Sequence, residues 1–191
     1  VACWGNNQFG QLGDGTTTNR LVPTPVEGLA NVTAISAGYY HSCAVITDKT
    51  VKCWGDNFYG ELGDATTNDR LTPTPVPGLT NVAEISAGSR HTCALTIDQT
   101  AKCWGDNELG SLGDGTTTQR LTPTSVTGLT NTTAITASTR HTCAITTDKT
   151  VKCWGDNDVG EVGDGTTTNR NTPTPVPGLT CIPAIARGGR P

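Results

Sequence analysis

Four tryptophans, Trp4, Trp54, Trp104 and Trp154, stand fifty residues apart, and the chain between them repeats with no insertion or deletion. A fixed period of this length constrains the fold more than any other feature. Each copy is one supersecondary unit that cannot bury its own apolar face and must stack on its neighbours. An argument made for one copy therefore holds for the others.

The stretch from Cys93 to Gly113 shows the unit best, with relatives at 43–63 and 143–163 and a shortened version opening the chain at Cys3. Cys93-Ala-Leu-Thr-Ile97 and Thr100-Ala-Lys-Cys-Trp104 read as two short strands around an Asp98-Gln99 turn. Folding this hairpin about Asp98 sets Cys93 opposite Cys103, at the spacing of directly facing residues, which suits a disulfide. The same arithmetic pairs Cys43 with Cys53 and Cys143 with Cys153. Ten-residue spacing is not that of a zinc knuckle, so the cysteines point to an oxidising compartment. The chain contains no Met and Val1 stands in mid-repeat, so the sequence is expected to be a processed, secreted, extracellular product. Cys3 and Cys181 have no hairpin mate. They are expected to bond to each other, either within one chain to close a small ring or between molecules joined head to tail.

Only 5% of residues are aromatic, so any core is thin and divided among small units. Gly and Pro recur so regularly that no window keeps a helical apolar period for three turns. A net charge of −4 and a pI near 5.2 argue against nucleic-acid or anionic-membrane surfaces. No stretch of eighteen apolar residues is present, so membrane insertion is not expected.

After the hairpin each copy runs through glycine turns anchored by Leu12, Leu62, Leu112 or Val162. A Thr-rich segment then ends in Arg20, Arg70, Arg120 or Arg170, and a Pro-Thr-Pro-Val type stretch follows, which suits only an edge strand or an extended connector. Ile35-Ser-Ala-Gly38 and its equivalents lead into the next hairpin. Four short extended segments per fifty residues is the pattern of one propeller blade. Ile85-Ser86-Ala87-Gly88, His91-Thr92-Cys93-Ala94-Leu95, Trp104-Gly105-Asp106-Asn107 and Gly110-Ser111-Leu112-Gly113 resemble the signature of the RCC1-like repeat family. The resemblance runs from Cys3 to about Pro177. It implies an all-β fold of RCC1-like β-propeller blades, in a family whose members usually have seven. The hairpin cysteines, standing where the family commonly has an aliphatic residue, mark a secreted, bacterial-type variant. The expected organisation is one repeat domain, 1–191, with repeats 3–52, 53–102 and 103–152, a truncated copy 153–180 and a divergent tail 181–191. With so few repeats the blades form either a small closed ring or an open, head-to-tail arrangement.

The tryptophans are read as the apolar body of their own blades. His41, His91 and His141, identical in each copy, are read as partners of backbone groups, because an active site normally breaks repeat symmetry. Asp14, Asp64, Asp114 and Asp164 lie in turns that suggest calcium loops but lack the alternating oxygen ligands ending in Glu, so Asx turns are the expectation. Asn31-Val-Thr and Asn131-Thr-Thr are candidate glycosylation sites. No Gly-rich phosphate loop followed by a helix, no paired acids unique to one copy and no Ser-His-Asp set is present, so neither enzyme activity nor a cofactor or metal is expected. The family includes guanine-nucleotide exchange factors and chromatin binders, and no residue here matches those activities. Two functions remain: a structural repeat protein whose partner is itself, in oligomers or filaments, and a propeller that captures or inhibits another protein. Phe9, Tyr39, Tyr40, Phe58 and Tyr59 gather aromatic character into the first two copies and form the candidate partner-binding patch.

Overall fold

The computed structural model describes residues 1–186. Among these it has fourteen β-strands and no helix. The strands form three four-stranded antiparallel sheets and one two-stranded sheet. The first full blade is β3 (Val32–Ala37), β4 (His41–Ile46), β5 (Val51–Gly55) and β6 (Arg70–Pro75). The second is β7 (Val82–Ala87), β8 (His91–Thr96), β9 (Ala101–Gly105) and β10 (Arg120–Ser125), and the third is β11 (Thr132–Ala137), β12 (His141–Thr146), β13 (Val151–Gly155) and β14 (Arg170–Pro175). A half-blade, β1 (Ala2–Gly5) paired with β2 (Arg20–Pro25), precedes them. Among the described residues the blades do not close into a ring, and β1 has β2 as its one neighbour.

The fifty-residue period holds, while each sheet is built across the repeat boundaries drawn at the tryptophans: β3 and β4 come from one copy, β6 from the next. Strand character follows position in the blade. β4 and β8 are buried at all six positions because blades cover both faces, which small residues such as Ala44, Ala94 and Cys93 permit. β6, with Pro73 and Pro75, is an edge strand, where proline's missing N–H breaks no ladder. The β4–β5 turn places Lys49 at φ 65, with Asp48 Oδ1 accepting from Thr50 N at 3.0 Å. In the hairpins Cys43–Cys53, Cys93–Cys103 and Cys143–Cys153 are bonded, each pair directly facing in register.

The cores lie between blades. Cys43, Val45 and Leu62 cluster with Val82 and Ile85 of the next blade and with Trp104; Cys93, Leu95 and Leu112 cluster in the same way with Ile135 and Trp154. Trp54, Trp104 and Trp154 thus pack into the core that their blade shares with the preceding unit, whereas the sequence reading made each the apolar body of its own blade. The reason is direction: the indole crosses the blade gap to a glycine turn of the previous copy.

The fourth copy continues further than its composition suggests. Ile182 N donates to Lys149 O at 3.4 Å, as Val82 N does to Lys49 O and Thr132 N to Gln99 O, both at 3.0 Å. Ile182 and Ile185 pack on the third blade's core. Residues 182–186 therefore lie as the first strand of a further blade begins. The rest of the tail, 187–191, is outside the described residues.

Candidate functional site: two end faces and an aromatic groove

One blade-to-blade contact recurs three times. Trp54, Trp104 and Trp154 are fully buried, and their Nε1 atoms donate to the carbonyls of Gln11 (3.0 Å), Glu61 (2.7 Å) and Ser111 (2.9 Å). Each indole lies against Gly13, Gly63 or Gly113, all at positive φ, where an added Cβ would stand 2.6–2.7 Å from Nε1. Nearby, Gly10, Gly60 and Gly110 receive Leu71, Leu121 and Asn171. The backbone N–H of Gly15, Ala65 and Gly115 donates to the carbonyls of those same three residues at 2.9–3.0 Å.

The first blade edge and the last each hold half of this contact. At the head, Trp4 is 60% exposed and Leu21 94% exposed, against 0% for Trp54 and 37% for Leu71. At the tail, among the described residues, nothing lies within 4 Å of a Cβ built on Gly160 or Gly165, and Gly163 meets only Val176. The head carries a groove of about 420 Å³ bounded by Cys3, Trp4, Ile35, Gly38 and Ser42. The tail carries one of about 320 Å³ bounded by Val162, Gly163, Val176, Ile182 and Ile185.

Cys3 and Cys181 are both free thiols, so of the two alternatives for joining them the bond within one chain is not formed. The positions explain this. Cys3 corresponds to Cys53, whereas Cys181 corresponds to Asn31, Asn81 and Asn131, left-handed residues at the entry to a blade's first strand; its φ is 60. Cys181 therefore does not stand where Cys43 stands. Burial pushes the Cys3 thiol above its ordinary range, with the N-terminal ammonium pulling the other way.

The histidines also bridge blades: His41 Nε2 lies 2.8 Å from Thr92 Oγ1 and His91 Nε2 2.9 Å from Thr142 Oγ1. The partners of these two Nε2 atoms are hydroxyls of the next blade, where backbone groups were expected. Burial depresses His91 to about 3, with its neighbours His41 and His141 adding in the same direction. The Asp turns are internally saturated. Asp64 Oδ1 accepts from Thr66 N, Thr66 Oγ1 and Asn57 Nδ2, and Oδ2 faces Arg70 at 2.6 Å. Burial would raise Asp14, yet bonds from Thr16, Arg20 and Asn7 hold it at about 2. Among the described residues no group of three or more His, Cys, Asp or Glu side chains forms a metal cluster. Asn57 is the hub of this turn: Nδ2 also donates to Thr66 O and Asn68 O, and Oδ1 accepts from Leu62 N.

Of the five candidate aromatics, Phe9, Tyr40, Phe58 and Tyr59 meet in one groove of about 570 Å³ with Asp56, Asp69 and Arg90. Phe9 packs edge-on against Tyr40 at 5.0 Å, and the Arg90 guanidinium lies 4.8 Å over Tyr59. Tyr39, largely exposed, packs on Tyr40 outside the groove. Sequence reasoning missed Arg90, whose proximity depends on packing between copies. Asn31 and Asn131 are exposed in the turns before β3 and β11.

The profile of the RCC1-like domain matches residues 1–190. No curated protein matches the chain. Among solved structures, Prp20p of Saccharomyces cerevisiae is 24% identical with a TM-score of 0.82, over 92% of this chain and 46% of that one. The same protein has been solved bound to Kap60, and its structure has been reported with its binding properties to Gsp1p and histones. Human WBSCR16 is 24% identical with a TM-score of 0.83, over 98% of this chain and 50% of that one. The ectodomain of the Physcomitrella patens receptor kinase CR4 is 22% identical with a TM-score of 0.52, over 91% and 37%. The chain spans at most half the length of these structures, and the likeness shows the fold.

Proposed function

The chain belongs to the RCC1-like domain family, and from that premise we propose that it is a secreted, non-enzymatic scaffold domain, residues 1–191, whose copies join head to tail. The observation that carries this reading is the complementarity of the two ends. Adding four periods to Trp4 and Leu21 places them over Gly163 and Gly160, in the relation that Trp154 has to Gly113 and Asn171 to Gly110. Leu21 O then accepts from Gly165 N as Asn171 O accepts from Gly115 N. Residues 182–186 of the first copy fall beside β3 of the second, as β7 lies beside β3 within the chain. Such a heterologous contact gives a ring or a filament according to whether its rotation closes.

Three hairpin disulfides support an extracellular setting, and the CR4 ectodomain has the same fold. The net charge of −4 favours protein over nucleic-acid partners. The register makes the junction non-covalent, because Cys181 occupies the asparagine turn and lies several residues along the strand from the place that faces Cys3. Light scattering on the 191-residue chain across a concentration series, with negative-stain imaging, tests the proposal. Multimers that a Trp4→Ala, Leu21→Ala variant dissolves into folded monomers support it; a monomer at every concentration overturns it.

A second reading is favoured by the aromatic groove. A partner protein seated on Tyr40, Tyr59 and Arg90 would meet the residue types that dominate binding hot spots. Alanine at Tyr40 and Tyr59 then abolishes its capture and leaves assembly unchanged.

A further inference from the structure

The aromatic groove carries charges that the fold does not use. Asp69 Oδ1 accepts from Asn57 N at 2.9 Å, but Asn19 and Asn169 serve the same turn in their own copies, accepting from Asn7 N at 2.8 Å and from Asn157 N at 2.7 Å. Asp56 Oδ1 accepts from Phe58 N at 3.2 Å, as Asn6 Oδ1 does from Gln8 N at 3.1 Å. A neutral amide therefore meets the structural need at both positions. Among the described residues the ion pairs join Asp14, Asp64, Asp114 and Asp164 to their arginines, and neither Asp56 nor Asp69 takes part in one.

The copies differ here in a consistent direction. Position 69 is Asn19, Gln119 or Asn169 elsewhere, so its charge is confined to this groove. Tyr40 stands where the later copies have Arg90 and Arg140. Fifty residues on, the equivalent positions hold two arginines, Arg90 and Arg140, for two acids, Asp106 and Glu108. The aromatic groove has Arg90 alone against Asp56 and Asp69, which leaves a surplus negative charge beside tyrosine and phenylalanine rings. Burial raises the Asp56 carboxyl, and the Asp69 charge adds to the rise while Arg90 opposes it, as befits a carboxylate whose counter-charge is incomplete.

We propose that this groove receives a lysine side chain from an exposed basic segment of a partner protein, its ammonium at the Asp56 and Asp69 carboxylates and its stem along the aromatic rings. The inference rests on the second reading above, that the groove is a docking face, and names the chemistry that docks there. One such contact already exists within the chain, where the Arg90 guanidinium lies 4.8 Å over Tyr59. The negative face of an aromatic ring attracts a cation, and a lysine stem buries its methylenes against such rings while the ammonium stays at the polar end. An anionic ligand would instead meet the surplus charge and be repelled.

The test uses the 191-residue chain and a dye-labelled peptide, Gly-Ser-Lys-Ala-Lys-Ser-Gly, beside the same peptide with both lysines acetylated, followed by anisotropy at low ionic strength. Acetylation removes the charge and keeps the stem. The unmodified peptide is expected to bind about tenfold more tightly than the acetylated one. Asp69→Asn and Tyr40→Arg should each remove that advantage, and both install a residue that other copies carry at the same place, so neither puts the fold at risk. Glu27→Gln, which deletes an exposed charge outside the groove, should leave it unchanged. Equal binding of the two peptides, binding of neither, or a preference for lysine that survives Asp69→Asn overturns the proposal. Equal binding that Tyr40→Ala with Tyr59→Ala abolishes would overturn the cationic assignment and keep the docking face, so the two readings fail separately.

Discussion

Glu61 shows how one side chain can be asked to do two things at once. Its carbonyl takes the Trp104 and Thr92 donors at 2.7 and 2.8 Å, while its carboxylate is buried and accepts from Tyr59 N at 2.8 Å. Burial pushes the carboxyl up to about 8, with Asp56 and Asp106 adding to the rise. A raised acid binds its proton more tightly folded than unfolded, so stability falls as pH climbs from about 4.5 to about 8. Gln11 holds the same place in the first copy, accepting from Phe9 N and donating to Asn6, without ionising. Glu61→Gln should therefore flatten the alkaline limb of a denaturation series and add on the order of 2 kcal/mol at pH 8. His91 has the opposite sign: its folded pKa is depressed to about 3, so stability is complete above the unfolded value near 6.5 and is lost as pH falls toward 3. A stability optimum between the two limbs is the expected profile, and a urea midpoint measured at each pH checks it. The Asp turns make a further prediction. Because Asp64 and its equivalents already bond Thr, Asn and Arg groups, EDTA should leave the melting temperature unchanged; a drop of several degrees would mean that the turns hold calcium after all.

At the level of the hairpin and the blade, local features were legible and distant ones were not. The ten-residue cysteine spacing, the Asp-centred turn and the prolines of β6 act within a dozen residues, and period-2 patterning is enough to see them. Replacing Cys93 and Cys103 by alanine removes one cross-link around a short loop and should lower stability by about 2–3 kcal/mol in the chain-entropy model, measured by chemical denaturation. The tryptophan contact spans 41 residues to its glycine and 43 to its carbonyl, so the sequence showed the recurrence of Trp and Gly but not that they touch. For the same reason Arg90 over Tyr59 and the histidine–threonine bridges escaped notice, and Cys181 was matched to Cys3 before its place in an asparagine turn was visible. Gly113→Ala tests the contact itself: a methyl group would stand 2.6 Å from Trp154 Nε1 on a backbone at φ 69. A loss of about 2–4 kcal/mol is expected, with the β11–β14 blade becoming sensitive to protease before the β3–β6 blade.

At the scale of the molecule, stability is a chain of nearest-neighbour contacts, and among the described residues no single core crosses more than two blades. Blade two has a partner on both sides; blade one rests on a half-blade, and blade three on residues 182–186. Local opening should follow that order, since an element opens at the cost of its own contacts rather than of the global fold. Amide exchange in the dilute monomer is expected to be slowest in β8 and β9, faster in β4, β5, β12 and β13, and fastest in β1, whose one neighbour is an edge strand and whose Trp4 is mostly in water. If copies join head to tail as proposed, this pattern changes in one direction only. Covering Trp4 and Leu21 gives the half-blade the contact it lacks, so protection in β1 and β2 should rise with protein concentration while that of β8 and β9 stays fixed. Trp4→Ala should abolish the concentration dependence and leave the monomer's order intact. If protection in β1 and β2 were independent of concentration and equal to that of β9, the two ends would already be satisfied within one chain, and the stacking of copies would lose its physical reason.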